Sequence, residues 1–307
     1  MRSGVPGGAA PGGILAAAGV ILAGMSVIGF IDQFVRVIAE QSSLWTFHIL
    51  RSAMMWGMVG LWLLVSGVRL RVVNWRGVLG RSAIMSTAMI VYFGALGFLP
   101  VAQVAAGLFT APIWVLLFSV AFFGRRIGPV RIAAVAMGFA GVVLVLAPDP
   151  STVSPFMALP MVAGAFYAVA VIATREWCEG EGAVVLSMGI FTFMALWGIG
   201  GMGAVAALGL EGEGFLSRGW VWPTKEVWMW TFVQAVGSLV AVLLLTRGYQ
   251  LAEASLVSVF EYSVLGFSAL FGWLVWGDVL GPAGLRGLAL IAGAGSLIAL
   301  RGRESRA

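Results

Sequence analysis

FLPVAQVAAGLFTAPIWVLLFSVAFFGRRIGP, residues 98–129, returns later in the chain as LAEASLVSVFEYSVLGFSALFGWLVWGDVLGP, residues 251–282. The two stretches align without a gap, agree in hydropathy along their length and end on the same Gly-Pro pair. A shorter match joins GFIDQFVRVIA, residues 29–39, to GAFYAVAVIAT, residues 164–174. The order of these matches along the chain predicts two related halves. The apolar character of the longer pair makes each of its members a candidate membrane span.

The composition excludes an ordinary water-soluble protein. Of the 307 residues, 61% are hydrophobic and only 10% are charged, whereas a soluble domain carries about 25% charged residues. So little charge, spread over the whole length, cannot cover a globule in water. The basic residues stand singly or in pairs between apolar runs, which argues against nucleic-acid binding. We therefore expect an all-α polytopic membrane protein whose surroundings are a lipid bilayer.

Ten apolar runs are long enough to cross a bilayer, for which a helix needs about 20 residues. The run from Ser82 to Gly124 carries no charge and is too long for one span. Pro100 is therefore expected to separate two helices in a tight hairpin. The predicted spans are residues 14–38, 43–66, 78–98, 101–124, 130–147, 156–175, 183–208, 227–247, 254–277 and 281–300.

The basic residues also predict the orientation of these spans. If the N-terminus lies in the cytoplasm, 13 basic residues fall in inside segments and five in outside segments. This bias agrees with the positive-inside rule. Both termini are therefore expected in the cytoplasm, and the membrane is expected to be a bacterial inner membrane. The first apolar run shows no convincing cleavage site and is interpreted as a span rather than a removed signal peptide.

The repeats and the spans together predict two halves of five helices each. Because five is an odd number, the second half must lie upside down relative to the first. Inverted repeats that hold a binding site at their interface are typical of secondary transporters. The expected segments are a flexible lead (1–13), a first five-helix repeat (14–147), a periplasmic connector (148–155), a second five-helix repeat (156–301) and a cytoplasmic tail (302–307).

In this layout the chain resembles the drug/metabolite transporter superfamily, and specifically its EamA-type members. The resemblance covers about residues 14 to 301 and rests on DQFVR in helix 1, on Arg51 in FHILRS, on Pro100 and Pro112 around helix 4, and on Asp278 in WLVWGD. It implies ten helices, a central cavity lined by helices 1, 3, 4, 6, 8 and 9, and secondary transport of small metabolites, often as export. The chain departs from the family pattern at Arg125-Arg126, Leu265 and Asp32, which weakens any transfer of a particular substrate.

Polar residues inside apolar spans are the candidate binding residues, because a charge at the bilayer centre costs at least about 2.5–3.5 kcal/mol. In FIDQFVR, Asp32 and Arg36 are four residues apart and can pair on one helix face, or Arg36 can reach the outer surface. Gln33 lies beside Asp32. His48 and Arg51 share a face of helix 2, where Arg51 either neutralises Asp32 or ties two helices together. His48 is either a proton-coupling group or a buried neutral imidazole.

Glu261 is the most isolated acid in any predicted span, because no basic residue lies within four positions of it. Its partner must come from another helix or from a ligand, which suits a carboxyl group that carries a proton or meets a cation. Glu261 and Asp32 are thus the candidates for proton coupling. Tyr167 occupies the repeat position that matches Asp32, so the two halves differ chemically. The other candidate substrate-binding residues are Tyr92, Trp114, Gln234 and Tyr262.

Several kinds of chemistry are not expected. The single cysteine excludes an intrachain disulfide, and the single histidine excludes a two-histidine HExxH zinc site. We find no GxSxG nucleophile motif and no phosphate-binding P-loop, so neither catalytic residues, nor a metal, nor a cofactor are predicted. The favoured hypothesis is a secondary active exporter of a small cationic or zwitterionic metabolite, with proton coupling and a homodimer left open. The alternatives are a non-transporting membrane assembly subunit and an intramembrane enzyme.

Overall fold

In the computed structural model, the described part of the chain is residues 11–304 except 96–98, 100, 123, 125, 147–154, 211 and 278. It contains ten helical spans that are long and apolar enough to cross a membrane. The predicted and observed bounds of every span differ by four residues or fewer. The ten-helix prediction is therefore confirmed. The expected connector at 148–155 and the chain ends lie largely outside the described residues.

Thirteen α-helices and short 3-10 segments build these spans, which we number 1 to 10 in chain order. The helices are α1 (Pro11–Ile31), α2 (Val35–Gln41), α3 (Leu44–Ser66), α4 (Trp75–Ala95), α5 (Val101–Leu108), α6 (Ala111–Ala121), α7 (Pro129–Leu146), α8 (Ala158–Glu176), α9 (Ala183–Ala207), α10 (Lys225–Leu251), α11 (Ala254–Val257), α12 (Ser263–Trp276) and α13 (Pro282–Glu304).

Spans 1, 4 and 9 are interrupted. In span 1 the 3-10 segment Asp32–Phe34 separates α1 from α2, and in span 9 the segment Ser258–Tyr262 separates α11 from α12. In span 4 the chain breaks before α6, which has a proline in its first turn, where the missing amide hydrogen costs no helical hydrogen bond. The repeat alignment places the break of span 4 opposite that of span 9, so the two halves share this irregularity.

The helix contacts follow a two-fold pattern. The largest contacts join α7 to α13, α1 to α10, α4 to α8 and α3 to α9. If span n of the first half corresponds to span n+5 of the second, the contact of spans 1 and 8 has its counterpart in spans 6 and 3. The contact of spans 1 and 9, made by α1 and α12, likewise corresponds to that of α8 with α5 and α6. This pairing is what two related halves would give, while the inversion itself stays a prediction.

Close backbone approach holds α7 against α13. A methyl group added at Gly141 would lie 2.6 Å from the carbonyl oxygen of Gly287, and one added at Gly287 would lie 2.6 Å from that of Gly141. In a membrane, where lipid tails are as apolar as the helices, such small residues allow the packing on which helix association depends. These two glycines therefore mark the tightest part of this contact.

Polar groups tie the loops together at each end of the bundle. At one end, which we call the Glu253 end, Arg131 of α7 pairs with Glu253 at 2.9 Å, and the backbone amide of Val73 donates to Glu181. At the opposite end, which we call the Arg218 end, the guanidinium of Arg218 donates to the carbonyl oxygens of Glu40 and Ser42, where α2 ends. The connections between spans are thus anchored on both sides of the bundle.

Candidate functional site

A central cavity of about 210 Å³ lies among α1, α3, α4, α8, α9, α10 and the interrupted spans 4 and 9. Its wall is mostly apolar and includes Met25, Met85, Met89, Phe93 and Phe191. A mainly apolar wall with a few polar groups is the usual form of a small-molecule site. The polar groups of this wall are Asp32, Arg51, Arg81, Tyr92, Tyr167, Gln234, Ser238, Thr246, Tyr249 and Glu261.

Glu261 lies deep in this cavity, on the 3-10 segment of span 9, with 6% of its surface exposed. The hydroxyl of Tyr167, on α8, donates a hydrogen bond of 2.6 Å to its Oε1 atom. The hydroxyl of Tyr249, on α10, lines the same cavity and also interacts with the Glu261 carboxyl. The expectation that the partner of Glu261 comes from another helix is met by Tyr167, a neutral group rather than a base.

Asp32 is the second acid of the cavity and lies on the 3-10 segment that interrupts span 1. Its side chain is open to the cavity, and among the described residues it makes no hydrogen bond or ion pair. Arg51 and Tyr92 are the ionisable groups on which its charge acts. The side chain of Arg36, its expected partner in the same helix, lies outside the described residues, as does Asp278.

Arg51 of α3 lines the cavity without a carboxylate partner among the described residues. Its Nη2 atom contacts the Nδ1 of His48 at 3.2 Å and the sulfur of Met194 at 3.4 Å. Its guanidinium carbon also lies 4.8 Å from the ring centre of Phe47, within the range of cation–π attraction. The suggested Asp32–Arg51 ion pair is therefore not formed, and Arg51 is held by an aromatic and sulfur-containing environment.

Two glutamines stabilise the interruption of span 1. The amide nitrogen of Gln234, on α10, donates at 2.6 Å to the carbonyl oxygen of Ile31, the last residue of α1. The amide nitrogen of Gln33 donates to the carbonyl oxygens of Gly29, at 2.9 Å, and Ser268, at 3.2 Å. Gln33 thus binds neighbouring backbone and does not line the cavity, whereas Gln234 does both.

Three further predicted binding residues lie away from the cavity wall. His48 is completely buried behind Arg51, and its Nε2 atom has no described partner. The indole nitrogen of Trp114 donates to the hydroxyl of Thr110 in its own span. Tyr262 is completely buried, with a hydroxyl that has no described partner, and its ring packs against Gly138. Neighbours in sequence, such as Glu261 and Tyr262, therefore face different surroundings.

The cavity wall also contains a charged residue, Arg81, that was not among the predicted binding residues. It lies within the predicted span 78–98, on α4, which buries it in the cavity wall with 2% of its surface exposed. Its guanidinium donates to the hydroxyls of Thr174 and Thr246 and to the carbonyl oxygen of Leu186. With Arg51, the cavity wall therefore holds two buried arginines.

The two acids lie at different depths. The hydrogen bond from Gln33 to Ser268 places the Asp32 segment level with Ser268, seven residues beyond Glu261 in span 9. At a rise of 1.5 Å per residue, this separates the backbone positions of the two acids by about 10 Å along the bundle. The polar side chains of the cavity thus form two groups. The first comprises Asp32, Arg51 and Tyr92. The second lies nearer to the Glu253 end, is called the deep polar group, and comprises Glu261, Tyr167, Tyr249 and Arg81.

Comparison with known proteins finds transporters among the relatives of this chain. Residues 13–147 match the EamA-like transporter family. A riboflavin transporter of Brucella anthropi is 26% identical over 221 residues, which are 70% of this chain and 72% of that protein. A riboflavin transporter of Rhizobium johnstonii is 28% identical over 76% of this chain and 72% of that protein. A pseudopaline exporter of Pseudomonas aeruginosa is 26% identical over 66% of each chain.

A solved crystal structure shares the fold, with a TM-score of 0.72 and 19% identity over 96% of this chain and 99% of that chain. The agreement extends over both halves of the ten-span bundle. The matched family consists of transporters, not enzymes. From the ten spans and the bacterial transporter relatives, the chain is an integral multi-pass membrane protein whose residues 13–147 are similar to the EamA-like transporter family.

Proposed function

We propose that this transporter is a secondary active exporter of a small cationic or zwitterionic metabolite, that it works by alternating access, and that it is coupled to protons. The observation that carries the proposal is the position of Asp32 and Glu261. Each half of the chain contributes one of these acids to the same cavity, and each acid lies on a 3-10 interruption of its span. Interrupted helices that bring polar groups to mid-membrane are a recurring form of transporter binding sites.

The size and wall of the cavity support a small solute. A volume of about 210 Å³ lies below the range of about 300–1,000 Å³ that holds drug-sized ligands. The methionine side chains in the wall adapt to different apolar shapes. Carboxyl groups at two depths offer an ammonium group two successive positions on its way through the bundle. The apolar remainder of a metabolite would contact the methionine and phenylalanine side chains.

Relatives support export of a metabolite but not one particular solute. The names of the relatives cover riboflavin transport in two bacteria and pseudopaline export in a third. Such different solutes within one family argue that the scaffold is shared and that the cavity residues select the solute. Export, cytoplasmic termini and a bacterial inner membrane are proposed here from the exporter relative and from the basic residues of the loops.

Glu261 is the residue proposed to carry the coupled proton. It is buried, its charge has no basic partner among the described residues, and the Tyr167 hydroxyl can donate to its ionised form. A carboxyl group in this position can release a proton when an ammonium group arrives and take one up when it leaves. Such competition between proton and solute for one carboxyl group is sufficient for antiport.

The test is flux in proteoliposomes across a panel of small cationic and zwitterionic metabolites, with and without a pH gradient. We expect an inward-directed proton gradient to accelerate release of at least one of these solutes. Glu261→Gln should abolish the effect of the gradient, whereas Glu179→Gln, which changes an exposed loop carboxylate, should retain it. Gradient-dependent flux that is unchanged in Glu261→Gln would falsify the proton-carrying role.

A further inference from the structure

Arg81 is a buried cation whose described partners are all neutral. Its Nε atom donates at 2.9 Å to the hydroxyl of Thr174, and Nη1 donates at 3.2 Å to the carbonyl oxygen of Leu186. Nη2 lies 3.5 Å from the hydroxyl of Thr246, at the limit of hydrogen bonding. The other titratable groups that act on it electrostatically are Cys178 and Tyr167, a thiol and a phenol. No described carboxylate pairs with it.

This arrangement leaves part of the guanidinium free. A guanidinium carries five N–H donors in a rigid fork, and the contacts of Arg81 with described residues use three of them. Two donors and a full positive charge therefore remain in a cavity wall where solvent is scarce. An uncompensated charge in a low-dielectric environment is costly. An anionic group in the cavity would therefore be stabilised both by the positive charge of Arg81 and by its two remaining N–H donors.

Two other arginines, Arg131 and Arg51, are compensated in different ways. Arg131 has the carboxylate of Glu253 at 2.9 Å. Arg51 lies over the ring of Phe47 and within the field of Asp32. Arg81 has neither an aromatic face nor an acid among its described neighbours. The hydroxyl of Thr174 donates to the carbonyl oxygen of Ala170, so it can only accept from Arg81, and this orients the guanidinium.

We infer that Arg81 is an anion-binding position at the deep end of the cavity and that it binds a carboxylate group of the transported solute. This inference rests on the proposed transport function and narrows its solute from cationic or zwitterionic to zwitterionic. The fork of Arg81 matches the two oxygens of a carboxylate. Thr174, Thr246 and Leu186 position the fork without neutralising it.

The deep polar group provides places for both charges of a zwitterion. Tyr167 lies between the two ionised side chains: it donates to Glu261, and it is within the electrostatic reach of Arg81. A solute with its carboxylate on Arg81 would therefore have its ammonium group on the side of Glu261. A purely cationic solute would leave Arg81 unpaired and place a second positive charge near it. The geometry thus disfavours simple amines.

The test uses benzoate as the probe and thermal unfolding of the purified full chain in detergent as the readout. Sodium benzoate is compared with sodium chloride at equal ionic strength and with neutral benzamide. The variant Arg81→Met removes the guanidinium with similar volume, and Arg81→Lys keeps the charge but loses the fork. The matched control is Arg76→Met, which removes a positive charge from the same helix, at a residue that stacks on Trp75 outside the cavity wall.

Benzoate is expected to raise the unfolding midpoint of the natural chain and of Arg76→Met, whereas benzamide is not. In Arg81→Met the apparent affinity for benzoate should fall by about tenfold or more, as expected for the loss of a charge-assisted hydrogen bond. Arg81→Lys should lie between the two. Equal shifts with benzamide, or a full benzoate response in Arg81→Met, would overturn the inference.

A second measurement decides the matter if Arg81→Met does not fold. Phenylglyoxal modifies arginine, and mass spectrometry of the natural chain reports its reaction at Arg81. Benzoate should protect Arg81 at least about fivefold more than it protects Arg76, because one good charge-assisted contact supplies such a ratio; equal protection contradicts the inference. The result is separable from the transport proposal. If gradient-driven flux is absent while benzoate still stabilises the protein, only the proton-coupled transport proposal is contradicted. If flux is present but benzoate has no effect at Arg81, only the anion-binding position is contradicted.

Discussion

The hydroxyl of Tyr167 donates a 2.6 Å hydrogen bond to the Oε1 atom of Glu261. The repeat alignment places Tyr167 opposite Asp32, so one position supplies an acid in the first half of the chain and the partner of an acid in the second. The two halves therefore share a scaffold while their cavity chemistry differs. A solute that crosses this cavity therefore contacts different side chains from the first half of the chain than from the second half.

Removal of this hydrogen bond should destabilise the protein. Tyr167→Phe removes the 2.6 Å hydrogen bond to the buried carboxyl of Glu261, which is expected to cost about 1–3 kcal/mol. Thermal unfolding in detergent measures the effect. Tyr262→Phe is the matched control, because the hydroxyl of Tyr262 is also buried but has no described partner. Equal destabilisation in the two variants would show that the hydrogen bond contributes nothing particular.

The interruption of span 1 should depend on Gln234. Gln234→Leu removes the donor to the Ile31 carbonyl oxygen, at the point where α1 ends, and should cost about 1–3 kcal/mol. Gln41→Leu is the control, since the side chain of Gln41 makes exposed hydrogen bonds to Glu226 and Thr224. Surface changes of that kind usually stay within about 0.5 kcal/mol. Similar unfolding midpoints for both variants would contradict a structural role of Gln234 at this interruption.

The contact between α7 and α13 should not tolerate a methyl group. Gly141→Ala and Gly287→Ala each bring a methyl carbon to 2.6 Å from a backbone carbonyl oxygen, which has no rotamer by which to move aside. Overpacking of this kind costs about 1–3 kcal/mol. Gly60→Ala is the matched control, because nothing lies within 4 Å of the added methyl, and alanine favours a helix over glycine. The idea fails if Gly141→Ala unfolds at the same temperature as Gly60→Ala.

The thiol of Cys178 should react slowly with maleimide in the folded protein. It lies in the loop between α8 and α9 and packs against Val78, Val185 and Leu186. Burial raises the pKa of its thiol to about 11. Because only the thiolate reacts, about one molecule in a thousand is reactive at pH 8, and the fraction rises about tenfold per pH unit up to that pKa.

Maleimide labelling followed by mass spectrometry measures this rate in the folded chain and after denaturation in SDS. The chain has one cysteine, so each label reports a single site. Labelling is expected to be slow when the protein is folded at neutral pH and fast after denaturation. Fast labelling of the folded chain at pH 7 would mean that the loop opens readily at the Glu253 end.

Hydropathy located the ten spans well because it is a local property of each segment. Arg81 lies inside the predicted span 78–98, but hydropathy did not show that α4 turns its side chain toward the cavity. The 3-10 interruptions also have no strong local signal, because FIDQFVR and SVFEYS contain neither proline nor glycine.

The direction in which each side chain points depends on the rotation of its helix about its own axis, which a single sequence does not show. Adjacent residues point about 100° apart in an α-helix and about 120° apart in a 3-10 helix, as follows from 3.6 and three residues per turn. Asp32 and Glu261 therefore face the cavity, while Gln33 and Tyr262 face neighbouring helices. Their polarity was visible in the sequence, but the direction in which each side chain points came only from the packing of the bundle.

Each of the two acids lies on a 3-10 segment, and rewinding such a segment into an α-helix would move the two parts of its span relative to each other. A 3-10 helix has three residues per turn and a rise of about 2.0 Å, compared with 3.6 residues and 1.5 Å in an α-helix. Rewinding the three residues Asp32–Phe34 into an α-helix would turn α2 relative to α1 by about 60° and shorten the span by about 1.5 Å. This rotation is one sixth of a full turn about the helix axis. It would swing the carboxyl group of Asp32 without tilting the whole span, and paired spin labels on α1 and α2 would measure it.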